Sequence, residues 1–368
     1  MRSKLKFHER YLLPITTVTL AAIGMVMIYS ASSYSAEINL NDPFFYVKKQ
    51  AVAFAAGLIL MVVAGRIKPE WLHKARIPIL IASMVLLGLV FVPGLGVESY
   101  GATRWLNLGF TTIQPSELSK FGLMIFLASY MSEYPPVKLG NMIIPVLCSL
   151  IIAGLIMAEP NMSITVCVAG AVLILTFVAG LPKKYFIPVA AVLAIAVPVL
   201  IIMEPYRVKR LLAFLDPWQN PKGEGYQLIQ SYYALGNGGL FGVGLFASRQ
   251  KYLFLPFAES DFIFSVIAEE TGVVGCVFVI AIFALYIFVG IRTAMNAKNR
   301  FYSLLCAGII SVTALQVIIN MAVVTGSIPP TGVPLPLISA GGTGLMTYMF
   351  VSGLVYNVAR VTNGEIKP

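Results

Sequence analysis

Few side chains in this sequence could do chemistry, so each stands out. There are three aspartates, Asp42, Asp216 and Asp261. Asp216 opens the turn signal Asp216-Pro217-Trp218. Asp261 alone lies between a polar stretch and a strongly apolar run, in Ser260-Asp261-Phe262-Ile263-Phe264. That setting raises a carboxylate's pKa towards the range of a general base. Asp261 could instead cap the helix that follows, although position 263 is Ile rather than the Glu or Gln of a capping box. A short helix over 261–270 is expected, followed by a membrane span.

Glu117 and Lys120 are three residues apart in Gln114-Pro115-Ser116-Glu117-Leu118-Ser119-Lys120. They share one helix face and can pair. Either they neutralise each other near the headgroups, or they line a polar cavity, where intramembrane charges usually face. Ser248-Arg249-Gln250-Lys251-Tyr252 offers two cations and an amide, which suits either a diphosphate grip or a solvated charge run. Gly236, Gly238, Gly239, Gly242 and Gly244 form a glycine-rich loop for phosphate or a flexible surface loop. Arg207, Lys209 and Arg210 lead an amphipathic stretch ending at Leu215, read as an interfacial helix on anionic lipid. Cys148, Cys167, Cys276 and Cys306 are scattered in apolar runs, and His8 and His73 fall in short charged segments. Neither set has metal or catalytic-triad spacing.

The elements that position these residues are membrane helices. The 368 residues are 58% hydrophobic and 11% charged, with a mean hydropathy of +0.85. A soluble domain carries about 25% charged residues, so a soluble enzyme is excluded, as is disorder. Apolar runs near 20 residues without alternation are helices rather than barrel strands. The expected fold is an all-α polytopic membrane protein in one domain, 1–368. About ten spans are expected, at 11–30, 47–65, 77–93, 114–131, 142–158, 162–180, 186–203, 272–291, 302–322 and 341–358. A large extracellular segment, 204–271, falls between spans 7 and 8.

Lys and Arg set the orientation. With the N-terminus inside, Arg2, Lys4, Lys6, Arg10, Arg66, Lys68, Lys74, Arg76, Lys138, Lys183, Lys184, Arg292, Lys298, Arg300, Arg360 and Lys367 are cytoplasmic. The short outer loops hold only Lys48, Lys49 and Arg104. Both termini are then cytoplasmic, and the first span is a retained anchor. Three outer segments, the Gly-rich loop 94–116 with Arg104 and Trp105, then 204–271, then the Pro/Gly-rich 323–340, could together roof an outward-facing cavity, since irregular backbone survives near a bilayer only when buried or wetted. The net charge of +10 suits phospholipid headgroups or a phosphate-bearing substrate. No soluble basic domain exists to bind nucleic acid.

Several pieces resemble the SEDS family (shape, elongation, division, sporulation) of peptidoglycan polymerases. They are Arg104-Trp105-Leu106, Gln114-Pro115-Ser116-Glu117, Asp216-Pro217-Trp218, Gly225-Tyr226-Gln227-Leu228-Ile229-Gln230-Ser231, Leu255-Pro256, Asp261-Phe262-Ile263-Phe264, Glu269-Glu270 and Pro334-Leu335-Pro336-Leu337-Ile338-Ser339. They run in order across nearly the whole chain, and Ser248-Arg249-Gln250-Lys251 looks more like the division and sporulation branch than the elongation branch. The resemblance implies a peptidoglycan glycosyltransferase of the bacterial cytoplasmic membrane that polymerises lipid II at the outer face. It places the essential acid at Asp261 and buried ionic positions at Glu117 and Lys120. A class B penicillin-binding transpeptidase is the implied partner, beside other division or elongation proteins. The chain departs from the family at Phe257, where relatives often carry an acid after Leu-Pro, with Glu259 two residues on. Ser260 stands where Thr commonly precedes the acid, Pro160-Asn161-Met162-Ser163 where Pro-Asp-Leu-Gly is common, and Ala340-Gly341-Gly342-Thr343 where Tyr-Gly-Gly-Ser is common.

On this reading Asp261 takes a proton from the acceptor sugar in one inverting displacement. Arg104, Glu117, Lys120, Arg249, Lys251 and Ser260 are the candidate substrate-binding residues. Asp261 could instead hold a divalent cation, Mg2+ or Mn2+, on the donor diphosphate. A flippase for the lipid-linked precursor and a non-catalytic division scaffold are the competing classes.

Overall fold

The structure is a computed structural model and describes residues 9–99, 102–109 and 111–364. Arg2, Lys4, Lys6, His8 and Lys367 lie outside the described residues. Thirteen α-helices are described. They are α1 (Glu9–Leu40), α2 (Phe45–Ala64), α3 (Pro69–Lys74), α4 (Arg76–Leu89), α5 (Pro115–Glu133), α6 (Ile143–Ala158), α7 (Met162–Val178), α8 (Phe186–Ile202), α9 (Pro205–Leu215), α10 (Tyr226–Gly238), α11 (Ile263–Asn296), α12 (Arg300–Val324) and α13 (Gly342–Thr362). Each expected span falls on one of α1, α2, α4 to α8 and α11 to α13. Six helical stretches, those containing α1, α2, α6, α8, α11 and α12, are long and apolar enough to cross a membrane. The apolar α4 and α7 are shorter.

Local sequence marks many of the helix ends. Pro69, Pro115 and Pro205 open α3, α5 and α9, where the missing N–H is no loss. Asn161 caps α7 by accepting from the Ile164 N–H at 3.4 Å, and Asn299 caps α12 by accepting from Tyr302 at 2.9 Å.

Helix α5 forms the middle of the bundle. It packs on α4, α6, α12 and α13 and is buried on nearly every face. Helix α13 lies along α2, and α1 along α11. By contrast α8 has no buried residue where its side chains are described. Its uniformly apolar sequence needs an apolar medium that the protein does not supply.

One expectation is corrected in the outer segments. Residues 94–116 are not merely a loop. They form a small antiparallel sheet of β1 (Gly96–Ser99), β2 (Ala102–Asn107) and β3 (Thr112–Ile113), a small addition to the helical membrane fold. Gly96 faces Leu106, Val97 faces Trp105, and the register slips between Val97 and Glu98. The turn before β3 forms because Asn107 Oδ1 accepts from the Gly109 N–H at 2.8 Å, with Gly109 in the left-handed region.

The glycine-rich loop is neither a phosphate cradle nor a free surface loop, because its amides and carbonyls repair a break in α11. Gly272 interrupts that helix with φ +64° and ψ −165°, a conformation suited to glycine. Across the break, Val273 N–H donates to Gly239 O at 3.0 Å and Val274 N–H to Leu240 O at 3.1 Å. In return, Glu269 O accepts from Val243 at 2.9 Å and Glu270 O from Gly244 at 3.1 Å. A Cβ at Gly242 would lie 2.1 Å from Glu270 O, so only glycine lets the two backbones meet. The expected division into a short helix and a span therefore stands, with the break at Gly272.

Candidate active site

Asp261 lies just before Phe262, the residue that starts α11, and it caps nothing there. The helix-cap reading of this acid is thus set aside. Its backbone is pinned instead. Asn320, on α12, donates from one amide nitrogen to Asp261 O at 2.8 Å and to Val333 O at 2.7 Å. Ser339 Oγ donates to Ser260 O at 2.6 Å, and the Ala340 N–H donates to Glu259 O at 2.9 Å. The loop carrying the acid and the proline-rich segment thus form one unit held by α12.

The Asp261 carboxyl is half-buried. Its Oδ1 accepts from the Ser260 hydroxyl at 3.3 Å. Its Oδ2 lies where a Cβ on Gly332 would come within 3.3 Å, and Gly332 has φ +69°, so backbone rather than a side chain forms that wall. Burial pushes the carboxyl up to about 6, although the Ser260 hydroxyl, Arg210 and Arg104 all pull it down. Glu259 is also raised by burial.

Two guanidiniums flank the acid. Arg104 comes from β2, and its Nε and Nη2 donate to the carbonyls of Glu159 and Pro160 at 3.1 and 2.7 Å. Burial lowers its pKa, and the ionisable groups near enough to act on it include Tyr206, Arg210, Asp261 and Glu159. Arg210 comes from α9. It donates to Pro330 O at 3.2 Å and stacks over the Tyr206 ring at 4.5 Å. Segments 94–116, 204–271 and 323–340 therefore meet at one place, with an acid near enough to two guanidiniums to feel their charge.

Glu117 and Lys120 do pair, at 2.7 Å. Both are buried inside the bundle. Lys120 also donates to Gln316 Oε1 at 2.7 Å and Tyr348 OH at 3.1 Å. Gln316 in turn donates to Pro334 O at 3.1 Å. Gln316 and Asn320 are one helical turn apart, so a single face of α12 links the ion pair to the backbone around Asp261.

Lys251 is committed elsewhere. It pairs with Glu270 at 3.2 Å and donates to Ser30 Oγ at 3.0 Å and Phe246 O at 2.6 Å. Glu270 also accepts from Ser30 Oγ at 2.5 Å, from Phe246 N at 3.0 Å and from Ser248 N at 3.3 Å. Glu269 accepts from Ser248 Oγ, Asn237 Nδ2 and the amides of Arg249 and Gln250. The two glutamates tie residues 244–251 to the N-terminal part of α11. Arg249 is exposed, and the cations that act on Asp261 are Arg210 and Arg104 rather than Arg249 or Lys251.

Among the described residues no three acids, histidines or cysteines gather as a metal site. Two guanidiniums beside Asp261 also disfavour a dication. The donor set does not fit Mg2+ or Mn2+, and no step is routed through one. Sequence reading overlooked Arg210 as a site residue because its amphipathic helix gave a sufficient account of the charge. Gln316 and Asn320 carried a usable signal, being two amides four residues apart in an otherwise apolar run.

Comparison with known proteins supplies the context. The FtsW/RodA/SpoVE family model, described as cell cycle protein, matches residues 10–364. The chain is 37% identical over 353 residues to stage V sporulation protein E of Bacillus subtilis, covering 95% of this chain and 96% of that protein. It is 36% identical over 366 residues to the probable peptidoglycan glycosyltransferase FtsW of Geobacter metallireducens, covering 98% and 97%. Among solved structures it is similar to a chain of a peptidoglycan synthase complex that coordinates polymerization and crosslinking, with TM-score 0.79, 30% identity and coverage of 95% and 97%. It is also similar to the rod shape determining protein RodA of Thermus thermophilus, with TM-score 0.70, 27% identity and coverage of 95% of each chain. The chain belongs to the FtsW/RodA/SpoVE family.

Proposed function

We propose that this protein is a peptidoglycan glycosyltransferase that polymerises lipid II at the outer face of the bacterial cytoplasmic membrane. It acts as one membrane domain with ten spans and both termini in the cytoplasm. The observation that carries the reading is the half-buried Asp261 carboxyl, raised to about 6 and flanked by Arg104 and Arg210. Full-length similarity to a probable peptidoglycan glycosyltransferase supports it.

The donor is an α-linked sugar diphosphate and the product linkage is β, so one in-line displacement suffices. Asp261, ionised at neutral pH, takes the proton from the acceptor 4-hydroxyl as that oxygen bonds to the donor's anomeric carbon and the diphosphate leaves. Such a base is worth about 10²–10⁴ in rate. Arg104 and Arg210 offset the charge on the departing diphosphate. Ser260 orients the carboxyl. Glu117 and Lys120 hold α5, α12 and the proline-rich segment in register, and Lys251 fixes the outer loop. A class B penicillin-binding transpeptidase is the natural partner for crosslinking the product.

The test is the purified protein with lipid II in detergent, with that transpeptidase present. Glycan strands are expected from the wild type and none from Asp261→Asn, which should fold and still bind lipid II. Polymer from the variant, or transfer of lipid II across liposomes without polymer, overturns the reading.

A further inference from the structure

Glu159, the acid beside Arg104, is not used by the mechanism above. It ends α6 with 0% of its surface exposed, and neither carboxyl oxygen has a hydrogen-bond partner. A buried carboxylate in that state is strongly disfavoured, whereas the neutral acid is tolerated. Directly above it, Arg104 donates to the backbone carbonyls of Glu159 and Pro160 and not to the carboxyl.

We infer that Glu159 is a positioning residue that sets how much charge Arg104 offers the diphosphate. As the neutral acid it leaves the guanidinium free to face the substrate; as the carboxylate it draws the guanidinium down into an ion pair. This inference rests on the glycosyltransferase reading.

The surroundings permit such a switch. Arg104 is the charged group that acts on Glu159. Arg207 of α9 is engaged with Leu200 O at 2.7 Å and Met157 Sδ at 3.6 Å. Arg210 holds Pro330 O, and on α5 Lys120 is taken up by Glu117, Gln316 and Tyr348. Asn161, on the other side, is occupied capping α7. Burial pushes Glu159 up to about 8 against the pull of Arg104, so the neutral acid prevails at pH 7 and the carboxylate at pH 9.

The experiment measures binding of undecaprenyl diphosphate to the full chain in detergent between pH 7 and 9, beside polymerisation over the same range. Wild-type affinity should fall about tenfold as Glu159 ionises, with polymerisation falling in parallel. Glu159→Gln cannot ionise and should hold its pH 7 affinity throughout. Glu159→Leu, equally neutral, should give the same flat profile and serves if the glutamine variant does not fold. Neutral variants that lose affinity in step with the wild type overturn the inference. So do folded variants that bind weakly already at pH 7, because the carboxyl itself would then be the ligand. Binding that follows this pattern without glycan synthesis refutes the polymerase reading and leaves the switch standing.

Discussion

At the scale of single residues, the acid proposed as the base, Asp261, carries a stability cost. Its folded pKa of about 6 lies above the ordinary carboxylate value of 3.8. The folded state therefore holds a proton that the unfolded chain has already released between about pH 4 and 6. Stability falls as pH rises through that window, and the deficit persists at neutral pH. Asp261→Asn should therefore melt higher than wild type at pH 7, by roughly 1–3 kcal/mol, while making no glycan. Thermal unfolding in detergent at pH 7 and 4.5 checks this, with the difference shrinking at the lower pH. The same shift predicts an acid limb in polymerisation near pH 6, absent if another group is the base. This residue was legible in the sequence because so few aspartates compete with it. Lys251 was harder to read, since a cation in a charged run looks identical whether it faces a substrate or a buried glutamate; only the fold brings Glu270 to it.

At the scale of elements, the buried ion pair and the broken helix make separate demands. Removing one partner of a buried pair costs about 3–5 kcal/mol, because the other charge is stranded. Lys120→Met should lose that much stability by leaving Glu117 buried beside Tyr348 and Gln316. Glu117→Gln combined with Lys120→Met should recover most of it, and equal losses in the single and double variants would contradict the assignment. At the break in α11, Gly242→Ala places a Cβ 2.1 Å from Glu270 O, on a backbone with φ +77°. The predicted result is separation of the outer loop from the helix, seen as rapid limited proteolysis within residues 240–254 at temperatures where the wild type resists. Apolar run lengths revealed ten helices, and two acids inside what would otherwise be one overlong helix suggested the interruption, whose place at Gly272 only the structure gives. The small sheet was not foreseeable from the same signal. Its strands are short, and Arg104 and Trp105 break the alternation that identifies half-buried strands.

At the scale of the whole molecule, hydropathy reports what each helix touches rather than whether it belongs to the bundle. Helix α8 is apolar throughout and unburied, whereas α5, among the most enclosed, carries Glu117, Lys120 and several serines. Enclosure by protein lets polar groups find partners; contact with hydrocarbon does not. The distribution of Lys and Arg predicts sidedness, which single cysteines can check in intact cells after the native cysteines are replaced. Arg249→Cys should react with a membrane-impermeant maleimide added outside, and Lys298→Cys only after lysis. The reverse pattern would invert the topology and remove Asp261 from the outer face. The interruption at Gly272 also bears on the lipid setting. A bilayer that thickens or thins tilts the helices crossing it. Because Gly239 and Leu240 accept from Val273 and Val274 while Val243 and Gly244 donate to Glu269 and Glu270, the loop splints both pieces of the helix, and a tilt of the longer piece would be passed to the loop rather than lost at the break.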